Sequence, residues 1–406
     1  MRAEFSFTGH IPPSKSMLIR FLLASAYGSN AMDTQCSDCD DVRSMQQALE
    51  AFKKCDNTIH CGRAALVFRL MAGLASRTKG NFLITGHESL LARPHDKLNS
   101  FLGQLGVDCK WSSNKGLRLN SKGWQKPSMP VMLDMSVSSQ FASSAVLNAW
   151  DLDFPLELIL SKEKVSTGYF EMTVKIARAL GMRIEKIKKG SDNSIRIPAY
   201  QKVKGYDVMI EPDMSSAFSV AALGALAGEA RILGFPTKSI QPDSGFVRVL
   251  EEMGCQVLFS DGALIVRKTK RLDHIELNIR DMPDLFPVLS VLCSFASGVS
   301  KISGAPHLAH KESNRLLKTA ELISLIGRKA ALCPDGIIIE GKPLDNLNDN
   351  SKTARHFDFN PADDHRMAMA ALIAKRAGIN CSIINPQAVK KSFPEFLSII
   401  GEEARP

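Results

Sequence analysis

The sequence predicts an α/β protein of two domains, each built from three copies of one supersecondary module. Three observations carry this. Helix-like segments end at Gly106, Gly181, Gly254, Gly327 and Gly401, spaced at intervals of 73–75 residues. Glycine just past a helix, followed by an alternating strand, is a stop signal with a steric mechanism. A hairpin-like stretch follows each of the first four: Val107–Leu119, Met182–Ile197, Cys255–Val266 and Arg328–Ile339. A second, more apolar helix set interleaves with the first. At 406 residues the chain also exceeds one ordinary domain.

In chain order, a strand runs from Ala3 to Phe7, and a helix starts near Ser14, which is suited to cap it. Phe21-Leu22-Leu23-Ala24 gives that helix its apolar body. The glycine-ended helices are expected at Leu98–Gly106, Met172–Gly181, Val247–Gly254, Glu321–Gly327 and Phe396–Gly401, with a copy lacking the glycine at Asp41–Lys53. The interleaved helices are expected at Ser16–Tyr27, Ala64–Ala75, Ser138–Trp150, Ser215–Gly228, Asp284–Gly298 and Arg366–Gly378. Six modules of two helices and about four strands result.

Composition narrows the function. Hydrophobic content of 45% and charged content of 23% are those of a globular chain, and no apolar run is long enough to span a membrane. No apolar segment follows Met1-Arg2-Ala3-Glu4, so no secretory signal is expected. Nine cysteines, an odd number, are expected as reduced thiols in a cytoplasmic protein. The net charge of +9 is dispersed, with aromatics at 7%, which fits small anionic substrates and not nucleic acid. The densest basic cluster, Lys186-Ile187-Lys188-Lys189, reads as a solvated turn. Cys36-x-x-Cys39, with Cys55 and Cys61, has no standard zinc spacing, so no metal is expected.

Polar residues collect where strands meet the interleaved helices. These junctions read Ser14-Lys15-Ser16, Ser138-Ser139-Gln140, Asp213-Met214-Ser215-Ser216, Asp281-Met282-Pro283-Asp284 and Asp363-Asp364-His365-Arg366. Capping accounts for the Ser and Asp residues. It does not account for Lys15, Arg366 or Lys391, because a cation opposes the dipole at a helix N-terminus. A bound anion resolves the conflict.

Eight motifs in order then resemble the enolpyruvyl transferases, specifically the 3-phosphoshikimate 1-carboxyvinyltransferase (EPSP synthase) family. They are Pro13-Ser14-Lys15-Ser16 with Arg20; Arg93-Pro94; Ser136-Val137-Ser138-Ser139-Gln140-Phe141; Ser166 with Tyr169; Met282-Pro283-Asp284; Lys311-Glu312-Ser313-Asn314-Arg315; Asp364-His365-Arg366-Met367-Ala368-Met369; and Lys391-Ser392-Phe393-Pro394. The resemblance implies the two-domain enolpyruvyl transferase fold, an inside-out α/β barrel of three βαβαββ units per domain, with the active site in the interdomain cleft. Residues 12–211 would form the acceptor-binding domain. Residues 1–11 and 212–406 would form the other, with much of the phosphoenolpyruvate site.

The implied reaction moves the enolpyruvyl group of phosphoenolpyruvate to the 5-hydroxyl of shikimate-3-phosphate, with no cofactor and no metal, in a monomer with neither nucleic acid nor membrane as partner. Asp284 would take the hydroxyl proton. Glu312 and Lys391 are the candidates for protonating C3 and the leaving phosphate, and Lys15 joins the catalytic set. Lys15, Arg93, Gln140, Arg315, Arg366 and Lys391 would hold phosphoenolpyruvate. Lys15, Ser16, Arg20, Ser138, Ser139, Gln140, Ser166, Tyr169, Asp284 and Lys311 would hold shikimate-3-phosphate. The plain alternatives are an N-cap for Asp284 and a helical i,i+3 pair for Glu312 and Arg315.

The chain departs from the family in three places. In the glycine-rich loop, Gly62-Arg63-Ala64-Ala65-Leu66-Val67-Phe68-Arg69, Arg63, Ala65 and Leu66 replace Asn, Gly and Thr. The Cβ of Ala65 narrows the space, so weak binding of bulkier mimics such as glyphosate is expected, and Arg63 is a further candidate anion ligand. His307 stands where the family has Asn, and a lone loop histidine is expected at the surface. Asn314 replaces the Asp before Arg315, so a helper charge for that guanidinium is expected to be missing. A diverged enolpyruvyl transferase with another acceptor, and a non-catalytic anion-binding protein on the same fold, are the competing readings. The related UDP-N-acetylglucosamine enolpyruvyl transferases fit less well: Ser16 follows Lys15, and residues 87–95 hold no cysteine.

Overall fold

In the computed structural model, which describes residues 4–28, 37–189, 192–204, 210–343 and 356–402, the predicted period becomes one sheet topology used four times. Each copy is a parallel pair extended by an antiparallel hairpin. Thr58–His60 lies parallel to Lys79–Thr85, which pairs with Gly116–Lys122 and through it with Asp108–Ser112. Val131–Met135, Leu156–Lys164, Asp192–Ile197 and Glu185–Lys189 repeat this order. So do Phe5–Gly9, Gly228–Leu233, Ala263–Arg267 and Gln256–Ser260. In the fourth copy Glu276–Asn278, Ala296–Ser303, Gly336–Gly341 and Lys329–Cys333 are joined by Leu272–Asp273. A shorter parallel pair, Phe357–Phe359 with Cys381–Ile383, completes the described strands.

The chain divides into two units, Lys15–Ile210 and Met1–Ser14 with Glu211–Pro406. The opening strand belongs to the second unit because Phe5 pairs with Gly228. Glycine is required at that position: a Cβ there would sit inside the Phe5 carbonyl.

The interleaved helices are the interior. Lys15–Ser25, Ala65–Ser76 and Gln140–Leu147 pack on one another in the first unit; Met214–Ala227, Phe286–Ser294 and His365–Arg376 do so in the second. Their composition dictates this. Met214–Ala227 is buried from Met214 through Leu226, with Ser, Gly and Ala in place of a polar face, and a helix without a polar face belongs inside. The glycine-ended set is amphipathic and lies outside it; Thr167–Ala179, for example, buries Phe170, Met172, Thr173, Ile176 and Ala177. Helices inside and sheets outside give the inside-out arrangement, and each described sheet is open. The five predicted stop glycines all adopt the left-handed φ that C′ positions require, from +71° to +96°.

Several expectations need correction. Asp284–Gly298 is not one helix: a 3₁₀ turn at Pro283–Leu285 leads into Phe286–Ser294, and strand Ala296–Ser303 begins at once. The β-branched residues Val299 and Ile302 favour the strand. Ser138–Trp150 shortens to Gln140–Leu147, where Asn148 turns its amide back onto Leu70 O and Ser144 O. Four strands per module holds for four modules only among the described residues. Lys186 to Lys189 lie in a strand and not in a turn. Cys36 lies outside the described residues, and Cys39 precedes helix Asp40–Lys53. No helix among the described residues is long and apolar enough to cross a membrane.

Candidate active site

Predicted site residues of the first unit are held in separate hydrogen-bonded groups, and those of the second interlock in one charged cluster. In the unit Lys15–Ile210, Lys15 is the first residue of its helix, against the dipole, and donates to Asp41 Oδ2 at 2.6 Å. Asp41 is in the first turn of the next helix, where a carboxylate is favoured. Arg20, in the apolar middle of helix Lys15–Ser25, is 1% exposed and ties two helices together. It donates to Thr173 Oγ1 and Ser16 O at 2.7 Å each, and to Tyr169 O at 3.5 Å, the longest and least committed contact. Burial pushes its guanidinium down to about 10. Ser166, at the start of helix Thr167–Ala179, holds a left-handed backbone at φ 53°. A non-glycine residue in that region is strained, and such strain clusters at functional sites.

Arg69 is a residue to which the motifs assign no role. It is buried in helix Ala65–Ser76 and donates to Ser138 Oγ at 2.9 Å and Gln140 Oε1 at 2.8 Å through one nitrogen. Its other terminal nitrogen donates to Pro94 O at 3.2 Å, and its guanidinium lies 4.4 Å over the Phe141 ring. It therefore joins the Ser-Ser-Gln junction to the Arg93-Pro94 turn. The sequence did hold a signal: one Arg in the run Ala65-Leu66-Val67-Phe68-Arg69-Leu70-Met71-Ala72 must be paired if that helix is buried. Gly62 is held at φ +59° beside Ser44. Arg63 is exposed, with its guanidinium 3.1 Å from His87 Nε2. Ala65 is the first residue of its helix, whose cap position, Ala64, offers no side-chain acceptor.

In the second unit Asp284, Glu312, Arg315, Asp364, Arg366 and Lys391 interlock. Arg315, 1% exposed, donates to Asp364 Oδ2 at 2.8 Å and Oδ1 at 3.2 Å, to Asp284 Oδ1 at 2.9 Å and to Glu312 Oε2 at 2.8 Å. Burial would lower its affinity for the proton, but Asp364, Glu312 and Asp284 more than offset that and raise it. Asp284 Oδ2 accepts from Arg366 at 2.9 Å, and Lys311 Nζ stands 3.7 Å from Oδ1. Burial alone would raise the Asp284 carboxyl; Arg366, Lys311 and Arg315 hold it well below the usual carboxylate range. Lys391 donates to Glu312 Oε1 at 3.0 Å, so Glu312 bridges two cations.

These contacts overturn four plain readings. Asp284 does not occupy the cap position: it lies inside the 3₁₀ turn Pro283–Leu285, whose cap residue is Met282. Glu312 and Arg315 are no helical pair, since the helix begins at Arg315. The helper charge of Arg315 is not missing: Asp364 supplies it from 49 residues away, while also capping helix His365–Arg376 through Arg366 N–H at 3.0 Å. Asn314 caps helix Arg315–Leu325 instead, accepting from Leu317 N–H. His307 is not at the surface; it is 5% exposed, in the 3₁₀ turn Pro306–His310 against that helix.

Two buried histidines predict an acid weakness. Burial first, then Lys311, pushes His307 down to about 3; burial, then Arg69 and Arg93, does the same to His95. Both rings stay neutral in the fold, while unfolded histidine takes a proton below about pH 6.5. Stability from these groups is therefore full above about pH 6.5 and falls toward pH 3, by up to about 1.4 kcal/mol per ring per pH unit. Denaturant midpoints measured from pH 7 to pH 5 should fall, and His95→Gln should remove about half of the histidine part. A flat profile would refute the assignment.

The family model for EPSP synthase (3-phosphoshikimate 1-carboxyvinyltransferase) matches residues 51–400. The chain belongs to the EPSP synthase family. Among curated relatives, the 3-phosphoshikimate 1-carboxyvinyltransferase of Methanoculleus marisnigri is 30% identical over 84% of this chain and 78% of its own length. That of Methanococcus aeolicus is 28% identical over 97% and 95%. In structure, the EPSP synthase of Acinetobacter baumannii superposes with a TM-score of 0.73 over 99% of this chain and 96% of its own, at 20% identity. The enolpyruvyl transferase NikO of Streptomyces tendae gives 0.72 over 98% and 94%, at 16% identity. At those identities the likeness carries the fold.

Proposed function

We propose that this EPSP synthase family member transfers the enolpyruvyl group of phosphoenolpyruvate to the 5-hydroxyl of shikimate-3-phosphate and releases phosphate. The observation that carries the reading is the second unit's cluster: a carboxylate, Asp284, against Arg315, Arg366 and Lys311, with a second, Glu312, between Arg315 and Lys391. The reaction needs a base, a proton donor, and cations for two phosphates and a carboxylate.

In the proposed mechanism the acceptor oxygen bonds to C2 of phosphoenolpyruvate and its proton passes to Asp284. The methylene C3 gains a proton, with Glu312 and Lys391 as candidate donors. The tetrahedral adduct then breaks its C2–O bond to phosphate, C3 loses a proton, and the double bond returns in the product. Arg315 and Arg366 neutralise Asp284 strongly. Anionic oxygens drawing these cations away would raise the Asp284 carboxyl toward a working base. Planar guanidinium groups suit paired carboxylate or phosphate oxygens. In the unit Lys15–Ile210, Lys15, Ser16, Arg20, Ser138, Ser139, Gln140, Ser166 and Tyr169 serve the acceptor, with Lys15, Arg93 and Gln140 also serving phosphoenolpyruvate. Arg69 orients Ser138 and Gln140.

The test is phosphate release from phosphoenolpyruvate and shikimate-3-phosphate together. Turnover by the native protein, lost in Lys15→Ala, is the expected result. A second reading, transfer to another acceptor, draws on His307, which is buried beside Asp284 and Lys311 where the family has Asn. Phosphoenolpyruvate binding without phosphate release would favour it.

A further inference from the structure

We propose that His95 is a positioning residue that sets Arg93 against the anionic donor substrate and holds the Arg69 helix beside that turn. This rests on the reading that the Arg93 turn faces phosphoenolpyruvate. The carbonyl of Leu90 accepts two bonds at once, from Arg93 N–H at 3.2 Å and from His95 Nε2 at 3.0 Å. The turn from Leu90 to His95 is therefore closed by the imidazole, with Arg93 inside it. The ring is 3% exposed and lies between Phe68, with centroids 4.6 Å apart, and Trp111, at 4.8 Å. Phe68 immediately precedes Arg69 on helix Ala65–Ser76, and Arg69 donates to Pro94 O, the residue before His95. One side chain thus fixes both guanidinium-bearing segments relative to strand Asp108–Ser112, which carries Trp111.

The chemistry requires a neutral ring. Donation to a carbonyl places the proton on Nε2. Nδ1 is buried with no hydrogen-bond partner. A second proton would put a cation beside Arg69 and Arg93, and burial already disfavours it. A neutral hydrogen-bonding aromatic therefore orders the arginines without repelling them. Misplacement of a binding group by about 1 Å is enough to cost up to about 100-fold in reaction rate.

The experiment compares the full chain with His95→Phe, which keeps the stack and loses the donor, and His95→Gln, which keeps a donor. In His95→Phe, KM for phosphoenolpyruvate is expected to rise about tenfold, with kcat and KM for shikimate-3-phosphate within about threefold; His95→Gln should recover most of the loss. Calorimetric titration with phosphoenolpyruvate alone should show the same ratio. A folded His95→Phe that binds phosphoenolpyruvate as the native protein does overturns the inference. So does a loss spread equally over both substrates and kcat, which marks a merely structural role. If His95→Phe does not fold, His95→Met carries the same comparison. A native protein that binds phosphoenolpyruvate but releases no phosphate overturns the acceptor assignment and leaves the titration to decide on His95; one that does not bind it overturns both.

Discussion

Asp284→Asn is expected to lower kcat for phosphate release by about 10²–10⁴-fold, the range for loss of a positioned general base. The KM for phosphoenolpyruvate should not rise with it. Asp284 is the carboxylate on which Arg315, Arg366 and Lys311 converge, so removing its charge leaves those cations with more attraction for an anionic ligand. A binding residue would show the reverse split, a raised KM with kcat nearly kept. Steady-state kinetics with both substrates checks this, and a kcat within tenfold of the native value sinks the assignment. Asn keeps size and hydrogen-bonding atoms, so the comparison isolates the charge.

The second large effect is on stability. Asp364 has no exposed surface and accepts from Arg315 Nε and Nη2, Ser313 Oγ and Arg366 N–H. Asp364→Ala leaves a fully buried guanidinium without its main counter-charge, which typically costs about 3–5 kcal/mol, and removes a helix cap worth about 1 kcal/mol. Melting should fall by roughly 8–24 °C, given about 2–4 °C per kcal/mol in a unit of this size. Asp364→Asn keeps the cap and should recover the smaller part. Thermal unfolding of the three proteins decides it; an Asp364→Ala melt within about 2 °C of the native one would falsify the assignment. Asp364→Asn is also expected to raise KM for phosphoenolpyruvate, because Arg315 loses the partner that orients it.

Much of this is legible in the sequence. Gly106, Gly181, Gly254, Gly327 and Gly401 end helices as expected because left-handed φ is cheap only without a Cβ. The hairpins follow, since alternation has a period of two on a half-buried sheet. The interior helices were legible as apolar runs. Their limits were not: Ala296 begins a strand because Leu272–Asp273 and Gly336–Gly341 lie where it can pair with them, and pairing partners are not written in local sequence. The Pro13-Ser14-Lys15-Ser16 motif and its counterparts point to the candidate site residues. What they left out is how those residues hold one another.

By itself the sequence determined the module, its period, the buried helix of each copy and the residue types at each junction. These follow from local steric and hydrophobic rules that act over a few residues. Only the tertiary structure decided which charges meet. Arg69 finds Gln140 71 residues away, Arg315 finds Asp364 49 away, and Lys391 finds Glu312 79 away. Separation along the chain says nothing of distance in space, and a buried charge is stable only beside its partner. The repeat supplies the positions, and packing of one module against the next supplies the pairs.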